Sequence, residues 1–117
     1  MSRRKLQNGM VVWARVPDRN GVVKATARPL LITSVHPKDK KAPFVAHCIS
    51  TRPVSDDDPA IEMPWDADSG GSAGLFTKCA VVLRWFVIVD QGEEEDISGK
   101  VPDEFLRHVL DEIARVN

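Results

Sequence analysis

Hydrophobic residues occur in short runs along most of this chain, and segments rich in turn-forming residues separate them. The runs are rich in β-branched and aromatic side chains, a composition that favours strands. The pattern predicts strands over residues 10–16 (MVVWARV), 28–34 (RPLLITS) and 44–51 (FVAHCIST). Residues 61–65 (IEMPW) are predicted to form a short edge strand, because Pro64 has no N–H for a central ladder.

The longest apolar run covers residues 78–90 (KCAVVLRWFVIVD). Its length and β-branched content predict one bent strand, or two strands joined by a bulge. Two polar segments flank this region: residues 66–74 (DADSGGSAG) are expected to be a flexible glycine loop, and residues 91–99 (QGEEEDISG) an acidic loop.

The hydrophobic period changes near the C-terminal end, where apolar residues recur on one helical face. Pro102 suits a first helical turn, and Asp103 and Glu104 lie where the helix dipole favours anions. The face comprises Phe105, Leu106, Val109, Leu110, Ile113 and Ala114. Several short strands followed by one helix predict a mainly β fold, a small curled antiparallel barrel with the helix packed on it.

Composition and charge narrow the function classes. A chain of 117 residues is expected to form a single domain, and its formal net charge of −1 provides no global attraction for nucleic acid or acidic lipid. Any anion site must therefore be local. Cys48 and Cys79 lie in apolar runs without a pairing motif and no signal peptide is evident, so we expect a cytoplasmic protein with buried, reduced thiols. No run reaches the ~20 apolar residues of a membrane span.

Several kinds of catalytic or ligand site are disfavoured by spacing. The three histidines, His36, His47 and His108, stand at no metal-ligand spacing, and no CxxC exists. His47 and Cys48 are neighbours on a strand, so they are expected to point to opposite faces and not to form a catalytic pair. The acidic runs at 56–58 and 93–96 read as solvated loops, and SGGSAG lacks the Lys-Ser/Thr ending of a phosphate loop.

An arginine–proline pair opens the predicted strand at 28–34. If this strand pairs antiparallel with the next, Arg28 meets Ser50 and Thr51, which close that strand. A guanidinium beside two hydroxyls suits a phosphate, because its planar fork donates two hydrogen bonds and stays charged at neutral pH. The alternative is an arginine at a strand edge with its charged end in water, and the pattern alone leaves both open.

Ordered motifs along the chain resemble the MazF/PemK/Kid family of toxins from bacterial toxin–antitoxin pairs. The resemblance extends over about residues 9–114, nearly the whole chain. Its pieces are NGMVVWARV, then Gly21 followed seven residues later by RPLLIT, FVAHCIST, IEMPW, GLFTKCAVVL and ISGKVPDEFLRHVLDEI.

The resemblance implies a single toxin domain over residues 1–117 with an SH3-like barrel of the CcdB/MazF/PemK type and a C-terminal helix. Members of the family usually form homodimers and cut single-stranded RNA without a metal or other cofactor. The 2′-hydroxyl attacks the adjacent phosphorus and leaves a 2′,3′-cyclic phosphate. A cognate antitoxin neutralises the toxin by laying an acidic segment across the RNA groove.

The resemblance also implies the site residues. Arg28 corresponds to the catalytic arginine, and Ser50 falls on the catalytic threonine, with Thr51 next to it. Lys24 and Arg84 are expected to bind RNA. Residues 85–89 are apolar where the family carries polar RNA contacts, which keeps open a catalytically inactive binding or interaction module.

Two tryptophans admit a functional role. Trp65 and Trp85 are candidates for RNA-stacking platforms, or for core or dimer-interface residues.

Overall fold

The part of the chain that the structure describes forms one antiparallel sheet and one C-terminal helix. The structure is a computed structural model that describes residues 5–17, 21–23, 26–36, 38–39, 41–52 and 58–116. The strands and the helix are β1 (Met10–Ala14), β2 (Arg28–Ser34), β3 (Phe44–Ser50), β4 (Ala60–Glu62), β5 (Ala80–Val89), β6 (Asp96–Lys100) and α1 (Asp103–Val116). The hydrophobic pattern predicted a mainly β fold, the strands β1 to β5 and the helix α1, and the structure confirms all three.

The sheet has the strand order β4-β5-β3-β2-β1-β6, and every pair is antiparallel. Among the described residues β4 and β6 do not pair with each other, so strand pairing does not close the sheet into a barrel. Every interior strand therefore has two partners, and β4 and β6 form the edges.

The strand β6 was not predicted, and the loop expected over residues 91–99 was wrong in its second half. Asp, Ser, Gly and Lys are uncommon in strands, so DISGK carries no local strand signal. Pairing with β1 forms this strand: Met10 is opposite Lys100, and Val11 is opposite Gly99. A Cβ at Gly99 would collide with the backbone oxygen of Ser72, so the absent side chain lets the 66–74 loop approach β6 closely.

Hydrogen bonds fix the loop that was expected to be flexible. The Ser98 hydroxyl donates to the Ala73 carbonyl at 2.7 Å, and the Lys100 N–H donates to the Ser72 carbonyl at 3.0 Å. At the start of the loop, an Asp66 side-chain oxygen accepts the N–H of Asp68. The loop is therefore docked on β6.

Two hydrophobic cores lie on opposite faces of the sheet. The helix-side core contains Val11, Leu31, Ile49, Met63, Ala73, Leu75, Cys79, Val81, Leu83, Val101 and Val109. The rim-side core contains Leu6, Val12, Ala14, Val16, Leu30, Ile32, Phe44, Ala46, Cys48 and Val89. Cys48 and Cys79 are buried thiols, as predicted, and they are not joined in a disulfide.

The amphipathic face of α1 packs on the helix-side core. Val109 is fully buried there, and Phe105, Leu106 and Ile113 pack against it as predicted. Ala114 is exposed, so its assignment to this face was wrong. Within the described part of the chain, no helix has the length and apolar character needed to cross a membrane.

The strand β5 contains the predicted bulge. Between the pairs His47↔Phe86 and Ile49↔Val81, β3 advances by two residues while β5 advances by five. Val81 and Leu83 belong to the helix-side core, whereas Trp85 and Val87 pack against the rim-side core. The bulge therefore transfers the inward-facing side chains of β5 from one core to the other.

Candidate active site

The backbone at the start of β2 fixes the direction of Arg28. A following proline disfavours the helical region for the residue before it, so Pro29 holds Arg28 in extended backbone. Arg28 pairs with Ala14 of β1, and Pro29 pairs with Trp13. This explains how a charged residue and a proline can open a strand: Arg28 lies at the rim of the sheet, where its side chain is half-buried.

The register between β2 and β3 brings Ser50 to the same rim. Leu30 is paired with Cys48, and both side chains belong to the rim-side core. Continuing this antiparallel register by two residues places Arg28 opposite Ser50, on the face that Leu30 and Cys48 share. Residues directly opposite each other in an antiparallel pair have Cβ atoms about 5 Å apart. The observed β2–β3 pairs end at Leu30↔Cys48, so the juxtaposition of Arg28 and Ser50 is an extension of this register and stays a prediction.

The hydroxyl of Ser50 keeps a donor available. Its oxygen accepts the backbone N–H of Arg52 at 3.2 Å. A serine hydroxyl has two lone pairs and one O–H, so this contact leaves the O–H able to donate to another acceptor. Thr51 follows the end of β3 and is exposed.

An aromatic ring contacts the guanidinium of Arg28. The Arg28 Cζ atom lies 4.4 Å from the centroid of the Trp85 ring, within the range of a cation–π interaction. Arg28 forms no ion pair with any carboxylate among the described residues. The guanidinium thus lies over the face of the Trp85 ring, and no described acidic side chain forms an ion pair with it.

The remaining predicted site residues lie elsewhere. Arg84 is exposed, and its Nη2 donates to the carbonyl oxygen of Val116 at 3.4 Å, at the C-terminal end of α1. Lys24 and residues 56–57 of the first acidic run lie outside the described residues. The RNA-binding role of Lys24 and Arg84 stays a prediction.

The buried histidine is satisfied by the fold. The Thr33 hydroxyl lies 2.9 Å from His47 Nδ1, and burial lowers the pKa of His47, an effect that a hydrogen bond with the backbone of Leu83 partly opposes. Lowering the pKa favours the neutral ring, in which one nitrogen donates and the other accepts. The Thr33 hydroxyl also donates to the Val45 carbonyl oxygen at 3.4 Å. In the described ranges, no group of three His, Cys, Asp or Glu side chains is arranged to hold a metal ion.

The contact between Trp85 and Arg28 was missed in the sequence. The two residues are far apart along the chain, and simple alternation along β5 from Leu83 would place Trp85 on the helix side. The bulge in β5 brings Trp85 to the rim, and no local signal in the sequence gives the size of that bulge.

No known family model matches this chain, and no curated protein matches it. The family resemblance therefore rests on the ordered motifs. The candidate site consists of Arg28, the Trp85 ring that contacts it, and Ser50, which the extended β2–β3 register places opposite Arg28.

Proposed function

We propose that the protein is an endoribonuclease toxin that cuts single-stranded RNA without a metal ion. The observation that carries the proposal is the Leu30↔Cys48 pair at the end of the β2–β3 ladder, because extending its register by two residues puts Arg28 opposite Ser50. The MazF/PemK-like order of motifs supports the same activity, because its arginine and its hydroxyl residue fall on these two positions.

The chemistry needs charge stabilisation at one phosphate. Attack of the RNA 2′-hydroxyl on the adjacent phosphorus gives a pentacoordinate species with extra negative charge on its non-bridging oxygens. Arg28 donates two hydrogen bonds to these oxygens and neutralises the charge. The Ser50 O–H adds a third donor. The 2′-hydroxyl gives its proton to water as the new O–P bond forms, and the 5′-oxygen takes a proton from water as its bond to phosphorus breaks, which leaves a 2′,3′-cyclic phosphate and a 5′-hydroxyl.

The wider biological assignment belongs to the same proposal. The proposal includes an SH3-like barrel of the CcdB/MazF/PemK type: the antiparallel sheet and the C-terminal helix agree with its mainly β character, while strand pairing among the described residues leaves the sheet open. We extend the proposal to a homodimer in the cytoplasm, neutralised by a cognate antitoxin whose acidic segment covers Arg28. Growth arrest on induction in cells, relieved by the neighbouring reading frame, is the expected outcome. Unimpeded growth on induction would contradict the toxin assignment.

Replacing Arg28 by alanine tests the proposed reaction. In excess EDTA, wild-type protein should cut a long, weakly structured RNA, and Arg28→Ala should lower the cleavage rate by about 10²–10³, the usual cost of a lost oxyanion donor. Arg107→Ala is the matched control, because Arg107 is an exposed arginine on α1. Electrophoresis of end-labelled RNA measures all three rates.

Two results would contradict this assignment. Equal cleavage by wild type and Arg28→Ala would remove Arg28 from the mechanism. Cleavage that stops in EDTA and returns with Mg²⁺ would show that the reaction depends on a metal. Within the same assay, Ser50→Thr should keep most of the activity and Ser50→Ala should lose it, since only threonine retains a hydroxyl at this position.

A catalytically inactive binding module is the second candidate. The observation that favours it is the exposure of apolar side chains on β5: Phe86 is 57% exposed and Ile88 is 68% exposed. Exposed apolar side chains on a strand are typical of interaction surfaces. RNA binding by filter retention, without cleavage in any buffer and without growth arrest, would favour this function.

A further inference from the structure

We propose that Trp85 is a positioning residue for Arg28: its indole ring holds the guanidinium at the rim with the N–H donors directed to solvent. This inference rests on the proposed function for its catalytic consequence. Its structural part concerns only the contact between Trp85 and Arg28.

The bulge in β5 supplies the ring at the required place. Trp85 lies inside the segment where five positions of β5 match two of β3, and it packs against the rim-side core. Arg28 stands on that same face, at the end of the β2 row that continues through Leu30 and Ile32. A regular strand would have left this face of Arg28 without the ring, so the irregular register is what creates the contact.

The form of the contact suits a phosphate-binding arginine. The guanidinium carbon lies over the Trp85 ring, 4.4 Å from its centroid, so the cation contacts the π face of the ring. The ring has no lone-pair acceptor, so this contact does not pair the guanidinium N–H donors with a carboxylate or carbonyl oxygen. A carboxylate partner would fix the same side chain by occupying two of those donors and would offset its charge. An aromatic partner fixes it while keeping both available.

The ring also reduces the conformational freedom that RNA binding would otherwise remove. A free arginine side chain samples many rotamers, and immobilising it on a ligand lowers affinity and rate. Trp85 and Arg28 are both half-buried, so the cation–π contact is partly desolvated and stronger than an exposed one. Preorganisation of this kind acts on the transition state, where the donors must meet oxygens at fixed positions.

A packing role for Trp85 predicts a different result from a positioning role. Trp85→Leu keeps apolar bulk and removes the ring, whereas Trp85→Phe keeps a smaller ring. Val87→Ala is the packing control, because Val87 packs against the same core two residues further along β5. Positioning predicts that Trp85→Leu lowers kcat for RNA cleavage about tenfold, that Trp85→Phe stays within about threefold of wild type, and that Val87→Ala leaves kcat unchanged.

The second measurement does not require cleavage. In wild-type protein the ring current of Trp85 should shift the Arg28 Nε–H proton upfield in an NMR spectrum, with the signal assigned by its loss in Arg28→Ala. The shift should vanish in Trp85→Leu and persist in Val87→Ala. Thermal unfolding of each variant separates loss of the contact from loss of the fold.

The outcomes separate the two proposals. If wild-type protein leaves RNA intact but the Arg28 signal is shifted upfield, the proposed function fails and the contact stands. If the signal is unshifted in wild type, positioning is contradicted whatever the activity. If the shift is present and Trp85→Leu cuts RNA at the wild-type kcat, the contact exists but has no catalytic effect, which overturns the inference.

Discussion

Two basic side chains of this protein lie in opposite environments. Arg28 stays at the rim, charged and in contact with an aromatic face. His47 lies in the sheet with only 5% of its surface exposed, and its hydrogen bonds suit a neutral ring. The position of Arg28 keeps a cation available for a ligand. The burial of His47 keeps its ring away from solvent and from ligands.

The buried histidine predicts a stability change with pH. Burial lowers the pKa of His47 in the folded state below its ordinary value of about 6.5, so the unfolded chain takes up a proton first as pH falls. The stability that the neutral His47 contributes to the folded state is fully present above pH 6.5. It is lost as the pH falls from there through the folded-state pKa. Because one proton is involved, the free energy of unfolding changes by at most about 1.4 kcal/mol per pH unit.

Denaturant unfolding at pH 7.5 and pH 5.5 measures that change. His47→Gln retains a donor and an acceptor but does not titrate, so it should lose less stability than wild type between the two pH values. His108→Gln replaces an exposed histidine and should behave as wild type. An identical loss in wild type and His47→Gln would show that another group causes the pH dependence.

The foresight available at this scale was uneven. The antiparallel pairing of β2 with β3 could be predicted from the sequence, because strands separated by one loop usually pair antiparallel and the start of one then lies near the end of the other. Trp85 could not be placed, because its face depends on a register shift that the long-range pairing of β5 with β3 sets.

Individual elements show the same contrast between local and long-range control. The helix α1 was predicted because its apolar period, its proline and its first-turn acids are all local signals. The strand β6 was not, because its residues form a strand only where β1 supplies a ladder and the 66–74 loop packs beside Gly99. Strands that form only because neighbouring strands pair with them cannot be predicted from the local sequence pattern.

The strand β5 leads to a prediction about the proposed homodimer. Its first part pairs with both β4 and β3, but from Phe86 to Val89 only β3 pairs with it among the described residues. An open apolar edge with exposed Phe86 and Ile88 is suited to antiparallel pairing with the same edge of a second copy. We expect dimerisation to use this edge.

Sedimentation equilibrium tests the dimer. Wild type should have a mass of twice 13.0 kDa at tens of micromolar, and Ile88→Lys, which places a charge on the edge, should have the monomer mass. Lys78→Ala, at an exposed residue before β5, serves as control. A monomeric wild type, or an Ile88→Lys protein that remains dimeric, would contradict dimerisation through β5.

At the scale of the whole molecule, the proposed anion site is a local feature at the rim of an open sheet. The formal net charge is −1, so RNA has no general attraction to the surface and must be held at specific cations. Two cores on opposite faces of the sheet hold β2, β3 and β5 together, and the rim where these strands meet carries Arg28, Ser50 and Trp85. Composition and pattern predicted the β class and the terminal helix. Whether the sheet closes into a barrel depends on pairing between strands that are distant in the sequence, and composition does not specify that pairing.

The chemical ends of the cleaved RNA test the central claim most directly. Wild-type protein and an Arg28→Ala preparation, which controls for contaminating nucleases, are incubated in EDTA with a defined single-stranded RNA, and the fragments are weighed by mass spectrometry. The account predicts 2′,3′-cyclic phosphate and 5′-hydroxyl ends with wild type only, and no cut where the nucleotide before the scissile phosphate is 2′-deoxy. Fragments ending in 3′-hydroxyl and 5′-phosphate, or cleavage at the 2′-deoxy position, would contradict it.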